Sequence, residues 1–259
     1  MGYYLGIISK KFNNTLIMKH FFITIFLIIS IFTNAYSQSN TDLLYNFQTK
    51  VDSLYQIHDP NECISQLEDL YLKINKIQPA NNIVNYWQAY VYFMISTKYL
   101  EISQYNKSKQ FCDEAIKILK GVKGDDSEIL ALLAYMQGFS ISFVKGMEAG
   151  IISKEANKNS KSAIKLSHQN PRAYYVAGML DYYTPKEYGG QMACEEYLKK
   201  AISLIEPNRN NPYLPTWGKE DAYIILISYY KSLKLDDKAK ELYNEAIRLF
   251  PESKALKNF

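Results

Sequence analysis

The sequence predicts an all-α fold, and three observations carry that expectation. From residue 40 onward apolar residues recur at helical spacing, with no strand-type alternation. The breaks between these stretches leave segments of about 13 to 22 residues, each long enough for a helix. Gly at 11 and Pro at 8 in 259 residues are too few for a turn-rich β fold, and they exclude collagen-like or Pro/Gly-rich disordered chains. With 47% apolar residues against 22% charge, the chain can bury a sizeable core. Three cysteines are too few, and odd in number, for a disulfide scaffold.

The first segment stands apart from that pattern. Met18-Lys19-His20 precedes Phe21 to Phe32, a run apolar except for Thr24 and Ser30, and then Thr33 to Gln38 with small residues at Ala35 and Ser37. A basic start, a short apolar stretch and a small-x-small end are the three parts of a secretory signal peptide. Residues 1–37 are therefore expected to be the signal, with Met18 as the true start, and residues 38–259 the exported domain. A retained anchor is the weaker reading, because the run falls short of the roughly 20 residues that span a bilayer. A longer basic region carrying Lys10 and Lys11 is the alternative to a start at Met18. The first cysteine, Cys63, is far from the cleavage site, so a lipid anchor is not indicated. The expected location is the periplasm or the cell exterior, with no stable membrane insertion after cleavage.

Removing that segment changes the charge. The whole chain carries +4, but residues 1–37 hold three lysines and no acid, which leaves 27 basic against 26 acidic groups. A domain at +1 lacks the electrostatic footprint of a nucleic-acid binder.

Helix-sized segments of similar length invite a search for repeats. The breaks fall at Asp59-Pro60, Gln78-Pro79, Gly121 to Asp126, Asn170-Pro171, Thr184-Pro185, Gly189-Gly190, Pro207 to Gly218 and Pro251. Residues 41–77 allow one helix pair with a poor repeat match. Tyr92, Ile95, Ser96 and Tyr99, then Ser108, Cys112 and Ala115, mark a clearer pair. A longer first helix around Leu130 to Met147 precedes Ala156, Ser160 and Ala163. Tyr174, Ala177 and Gly178 follow Pro171, and Cys194, Leu198 and Ala201 resume four residues late. Tyr223, Leu226, Tyr230, Ala239, Tyr243, Ala246 and Pro251 mark the last unit, at positions 4, 7, 11, 20, 24, 27 and 32 of a 34-residue repeat.

These offsets resemble the tetratricopeptide repeat (TPR), with Ile227 where the family prefers Gly or Ala. The resemblance covers residues 85–259 and implies a TPR-like α-solenoid of about ten helices in about five antiparallel pairs. Small residues let the paired helices approach, and large apolar ones fill the space between units. The two long interruptions, Tyr182 to Gly190 and Pro207 to Gly218, resemble loops of exported bacterial TPR proteins. More loosely, they are similar to the TPR-like T component of tripartite periplasmic transporters.

Motifs for chemistry are missing: there is no G-x-G-x-x-G, no G-x-x-x-x-G-K, no G-x-S-x-G and no H-E-x-x-H. After residue 37 only His58 and His168 remain, far apart and without metal-ligand spacing. Cys112 and Cys194 sit at repeat packing positions, and Cys63 lies early in a helix, so all three read as core residues. Asp125-Asp126 and Asp236-Asp237 fall where helices begin, which capping and the helix dipole explain. The expectation is a non-enzymatic protein with no cofactor, no metal and no catalytic residues.

The resemblance places a binding groove along the first helix of each unit. Its projected positions give Tyr90, Phe93, Arg172, Tyr175, Met179 and Tyr182 as binding candidates, and Asp221, Ile224, Ser228 and Lys231 in the last unit. Tyrosine and arginine are the types that dominate interface hot spots. Extra loops in repeat proteins often gather on a binding face, which adds Tyr183, Tyr188, Gly189, Gly190 and Trp217. Packing alone also accounts for these loops, with Gly189-Gly190 making a turn and Trp217 stapling the next helix. The leading functional expectation is a scaffold that binds a protein or peptide in the concave groove. The alternatives are a small-ligand accessory protein of a periplasmic transport system, its pocket enclosed by the long loops, and a self-assembling structural subunit. An open aromatic groove favours the peptide, and a closed cavity beside Trp217 and Tyr188 favours the small ligand.

Overall fold

The computed structural model describes residues 43–259; the expected signal peptide lies outside the described residues. Residues 46–259 form one compact unit, and among the described residues there is no strand. Among the described residues ten full α-helices follow in order: α1 Phe47–Tyr55, α2 Pro60–Ile74, α3 Asn82–Glu101, α4 Tyr105–Lys120, α5 Ser127–Ser140, α6 Met147–Leu166, α7 Pro171–Tyr183, α8 Cys194–Ser203, α9 Lys219–Ser232 and α10 Asp236–Leu249. None of them is long and apolar enough to cross a membrane.

Local chemistry sets the helix starts. Asp59, Asn81, Asp126 and Asn170 each accept a backbone N–H of the first turn that follows, and Pro60 and Pro171 occupy first-turn positions where no N–H is needed. The α8 start has no such side chain of its own. Asp181 of α7 supplies it, accepting from the amides of Ala193 at 2.9 Å and Cys194 at 2.7 Å.

The helices pack as α1/α2, α3/α4, α5/α6, α7/α8 and α9/α10, and the first helices α3, α5, α7 and α9 also touch in succession. Small residues sit where paired axes come closest. Ser96 and Ser108 bond reciprocally between α3 and α4, each hydroxyl donating to the other's carbonyl, at 2.7 and 2.8 Å. Ala131, Ala163 and Ala173 form one fully buried contact between α5, α6 and α7. At Gly178 a Cβ would lie 2.7 Å from Leu198 Cγ, so only glycine lets α7 and α8 approach this closely. Cys63, Cys112 and Cys194 are buried and unpaired.

One expected element differs. The long helix placed over Leu130 to Met147 stops at Ser140, passes through a 3-10 turn at Ile141–Phe143 and breaks at Gly146. Gly146 has φ 60° with ψ −131°, a backbone state closed to other residues, and α6 starts immediately after it. The last repeat matches its expected register, with Tyr223, Leu226, Tyr230, Ala239 and Ala246 all buried.

The close approach at Gly178 yields a direct test. Gly178→Val should destabilise the protein by about 2 kcal/mol through overpacking against Leu198. Urea unfolding followed by circular dichroism measures this, and an unchanged midpoint would show that the two helices can separate at no cost.

Candidate ligand chamber on the concave face

The link from α8 to α9, residues 204–218, does not run directly between them. It crosses the inner face of the stack as a strap and returns. Pro212 carbonyl accepts from the amide of Asn46 at 2.8 Å, and Tyr213 carbonyl accepts from Trp87 Nε1 at 2.9 Å. The Thr216 amide donates to Gln48 Oε1 at 2.7 Å, and Trp217 Nε1 donates to the Tyr86 hydroxyl at 2.5 Å. The link between the last two pairs thus holds α1 and α3 of the first two.

Arg172 anchors the start of the strap. Its side chain is fully buried, and its guanidinium meets Glu128 through Nε and Nη2, both at 2.6 Å. It also meets Glu206 of the strap through Nη1 at 2.7 Å and Nη2 at 3.1 Å. Asn208 completes the cluster, donating to Glu128 at 3.1 Å and to the Pro215 carbonyl at 2.8 Å. The two carboxylates hold the guanidinium charged more firmly than usual, outweighing the opposing effect of burial.

Trp217 is the point of the strap. Its ring lies near-parallel to Tyr135 at 5.3 Å and to Tyr90 at 6.4 Å, and meets Tyr175 edge-on at 6.0 Å. It fills the inner face over α3, and the groove opens between α5, α6, α7 and α9. There a chamber of about 1140 Å³ opens, lined by Tyr135, Phe139, Tyr175, Met179, Tyr183 and Tyr188 and by the apolar Leu180, Ile224 and Ile225. Gly146 and Gly150 border it, and a Cβ at either would meet nothing within 4 Å. The loop after α7 is held in place rather than swinging. Gly190 sits where any Cβ would collide with the Thr184 carbonyl, and the amide of Gln191 donates to the Asp181 carbonyl at 2.8 Å.

Burial pushes the phenols of Tyr135 and Tyr175 well above their ordinary range, so both are neutral at physiological pH. The chamber has two charged side chains, Lys154 and Asp221. Asp221 lies in the first turn of α9, where the helix dipole favours an anion. Its carboxyl is open to the chamber but ringed by protein, and desolvation, then Glu220 and Asp52, push it up from 3.8 to about 6. Desolvation and like charge outweigh the dipole here. Among the described residues no group of three His, Cys, Asp or Glu side chains is arranged to hold a metal ion.

No family model matches the sequence, and no curated protein does. Solved structures show the likeness instead. The HusA haemophore from Porphyromonas gingivalis superposes with a TM-score of 0.57 at 20% identity, over 74% of this chain and 92% of that one. A thermophilic TPR protein from Thermus thermophilus superposes with a TM-score of 0.53 at 12% identity, over 84% of this chain and 95% of that one. The chain has the TPR-like solenoid fold.

Within this solenoid the binding candidates taken from repeat positions and from the two loops separate by place. Tyr175, Met179, Tyr183 and Tyr188 line the chamber. Tyr90, Phe93 and Arg172 are buried, Tyr90 under Trp217 and Phe93 edge-on to Tyr135 and Phe139, so their side chains do not reach it. Tyr182 packs on Tyr183 and Tyr229 beside the chamber. Gly189, at φ 83°, and Gly190 shape the loop that carries Tyr188, and Trp217 backs the wall through Tyr135 and Tyr175. Tyr135, Phe139, Gly150 and Lys154 join the site without having been singled out, because the α5/α6 pair departs from the repeat register. Asp221 and Ile224 do occupy the groove positions projected for the last unit.

Two outcomes follow from the charges. Arg172→Met leaves Glu128 and Glu206 facing each other without a cation and should cost about 3–5 kcal/mol in urea unfolding. Asp221 has a folded value above its unfolded one, so the folded state prefers it protonated, and stability falls as pH rises from about 4 to about 6. Asp221→Asn should therefore melt higher than the parent protein at pH 7.5 and at the same temperature at pH 3.5. Equal melting at both pH values would show that the carboxyl is fully solvated.

Proposed function

We propose that the chain is an exported carrier of a broad, flat, apolar ligand of the tetrapyrrole class, taken up in the chamber between α5, α6, α7 and α9. The observation that carries this reading is the chamber itself. Its volume of about 1140 Å³ exceeds the roughly 300–1,000 Å³ usual for small-ligand sites, and its wall combines tyrosine and phenylalanine rings with glycines that leave a smooth border. Rings and glycines suit a large π-face better than an extended peptide, which would need a row of backbone partners. The strap supports the same reading, because Trp217 occupies the part of the groove where a longer peptide would continue. The solenoid's likeness to a protein named as a haemophore is consistent with it, and the segment Phe21 to Phe32 with its flanks supports export.

The chemistry of the wall favours holding the ring by its faces. Tyrosine and phenylalanine rings make up much of it, and such rings stack on a flat π-system. A second reading, a protein or peptide partner on this face, is favoured by the apolar side chains at and next to the mouth. Tyr183, Tyr188, Met147 and Met192 are 68%, 80%, 85% and 83% exposed.

Haem and metal-free protoporphyrin titrations, read by quenching of the two tryptophans, test the carrier reading. Both should bind saturably at one site, and Tyr183→Ala with Tyr188→Ala should weaken both by about thirtyfold while leaving the melting temperature unchanged. Failure of either tetrapyrrole to saturate, alongside capture of a peptide that the same double variant loses, would favour the second reading.

A further inference from the structure

The chamber wall is apolar or neutral except at two points, Lys154 on α6 and Asp221 on α9. Neither takes part in an ion pair among the described residues, although other lysines of the molecule are paired with acids three or four residues away. The polar contact of Asp221 is with its own backbone amide. The groups that face it are Glu220 on its own helix, Asp52 on α1, Tyr90 on α3, Tyr135 on α5 and Tyr175 on α7, with Tyr183 and Lys154 elsewhere on the chamber wall. Apart from Lys154, all of these are acidic or neutral, so nothing near the carboxylate compensates its charge. When a ligand displaces water from the chamber, an unpaired charge left on the wall is costly. A ligand that fits must therefore satisfy the ammonium and avoid, or wait for the neutralisation of, the carboxylate.

We propose that the chamber selects an amphipathic organic acid, a flat apolar body with an anionic head, whose head is held by Lys154 and opposed by Asp221 when that group is ionised, so that capture tightens on mild acidification. The proposal rests on the small-ligand reading of the chamber and adds the charge of the ligand and its pH dependence. Above the transition the two side chains cancel in their long-range effect on an anion. Below it the chamber carries a net positive charge and the anion is attracted. The raised position of the Asp221 carboxyl puts this change between mildly acidic and neutral pH.

Two dyes separate the contributions. The anionic 8-anilinonaphthalene-1-sulfonate stays charged throughout, and Nile red is neutral; each is titrated by fluorescence at pH 5.0 and pH 7.5. The parent protein should bind the sulfonate about fivefold tighter at pH 5.0. Asp221→Asn should bind it at the acid-side affinity at both pH values. Lys154→Met should weaken it about tenfold, and Lys154→Arg should restore it. Nile red should change less than twofold throughout. Circular dichroism at both pH values confirms that each protein is folded. The proposal is overturned if the sulfonate does not bind, if its affinity is the same at both pH values, or if Lys154→Met leaves it unchanged. Loss of tetrapyrrole binding with this dye pattern intact rejects the tetrapyrrole and keeps the acid-selective chamber; saturable tetrapyrrole binding without the pattern does the reverse.

Discussion

One guanidinium holds the architecture of the inner face. Arg172 is wholly buried in α7, and taking such a charge out of water is expensive unless every side of it is met. Glu128 meets it from α5 and Glu206 from the strap, and Asn208 closes the cluster onto the strap backbone. Among the described residues no buried side-chain nitrogen or oxygen is left without a partner. A cluster of this kind fixes geometry more than it adds stability, since a well-packed apolar substitute often does as well. The position of the strap is what it specifies here.

From that anchor the rest of the face follows. The strap reaches α1 and α3 through backbone and side-chain hydrogen bonds and sets Trp217 among Tyr90, Tyr135 and Tyr175. Half of a continuous groove becomes core, and the other half becomes a chamber with a definite end wall. The tyrosines on either side of Trp217 thereby acquire different places, those over α3 packing and those toward α7 lining the chamber. The low dielectric created by the same packing keeps the chamber phenols neutral and leaves Asp221 poised near neutrality.

The helix pairs were legible because their cause is local. Small residues at Ser96, Ser108, Gly178, Ala201 and Ala246 announce close helix approach, and Asp59, Asp126 and Asn170 announce helix starts. The chamber was legible only in part, because its cause is not local. Repeat position alone assigns Arg172 and Tyr90 to the groove as readily as Tyr175. What separates them is a strap whose partners on α1 and α3 lie 126 to 168 residues away. Lys154 entered through the break at Gly146, which turns the start of α6 toward the chamber and leaves no periodic trace.

The central claim is that the strap divides the groove and that ligand occupies only the open half. A crystal structure of the haem complex tests this most directly. The account predicts the ring between α5, α6, α7 and the Tyr188 loop, with Trp217 Nε1 still bonded to the Tyr86 hydroxyl and the Arg172 cluster unchanged. A ligand lying over α3, with Trp217 displaced and Tyr90 exposed to it, would contradict the account.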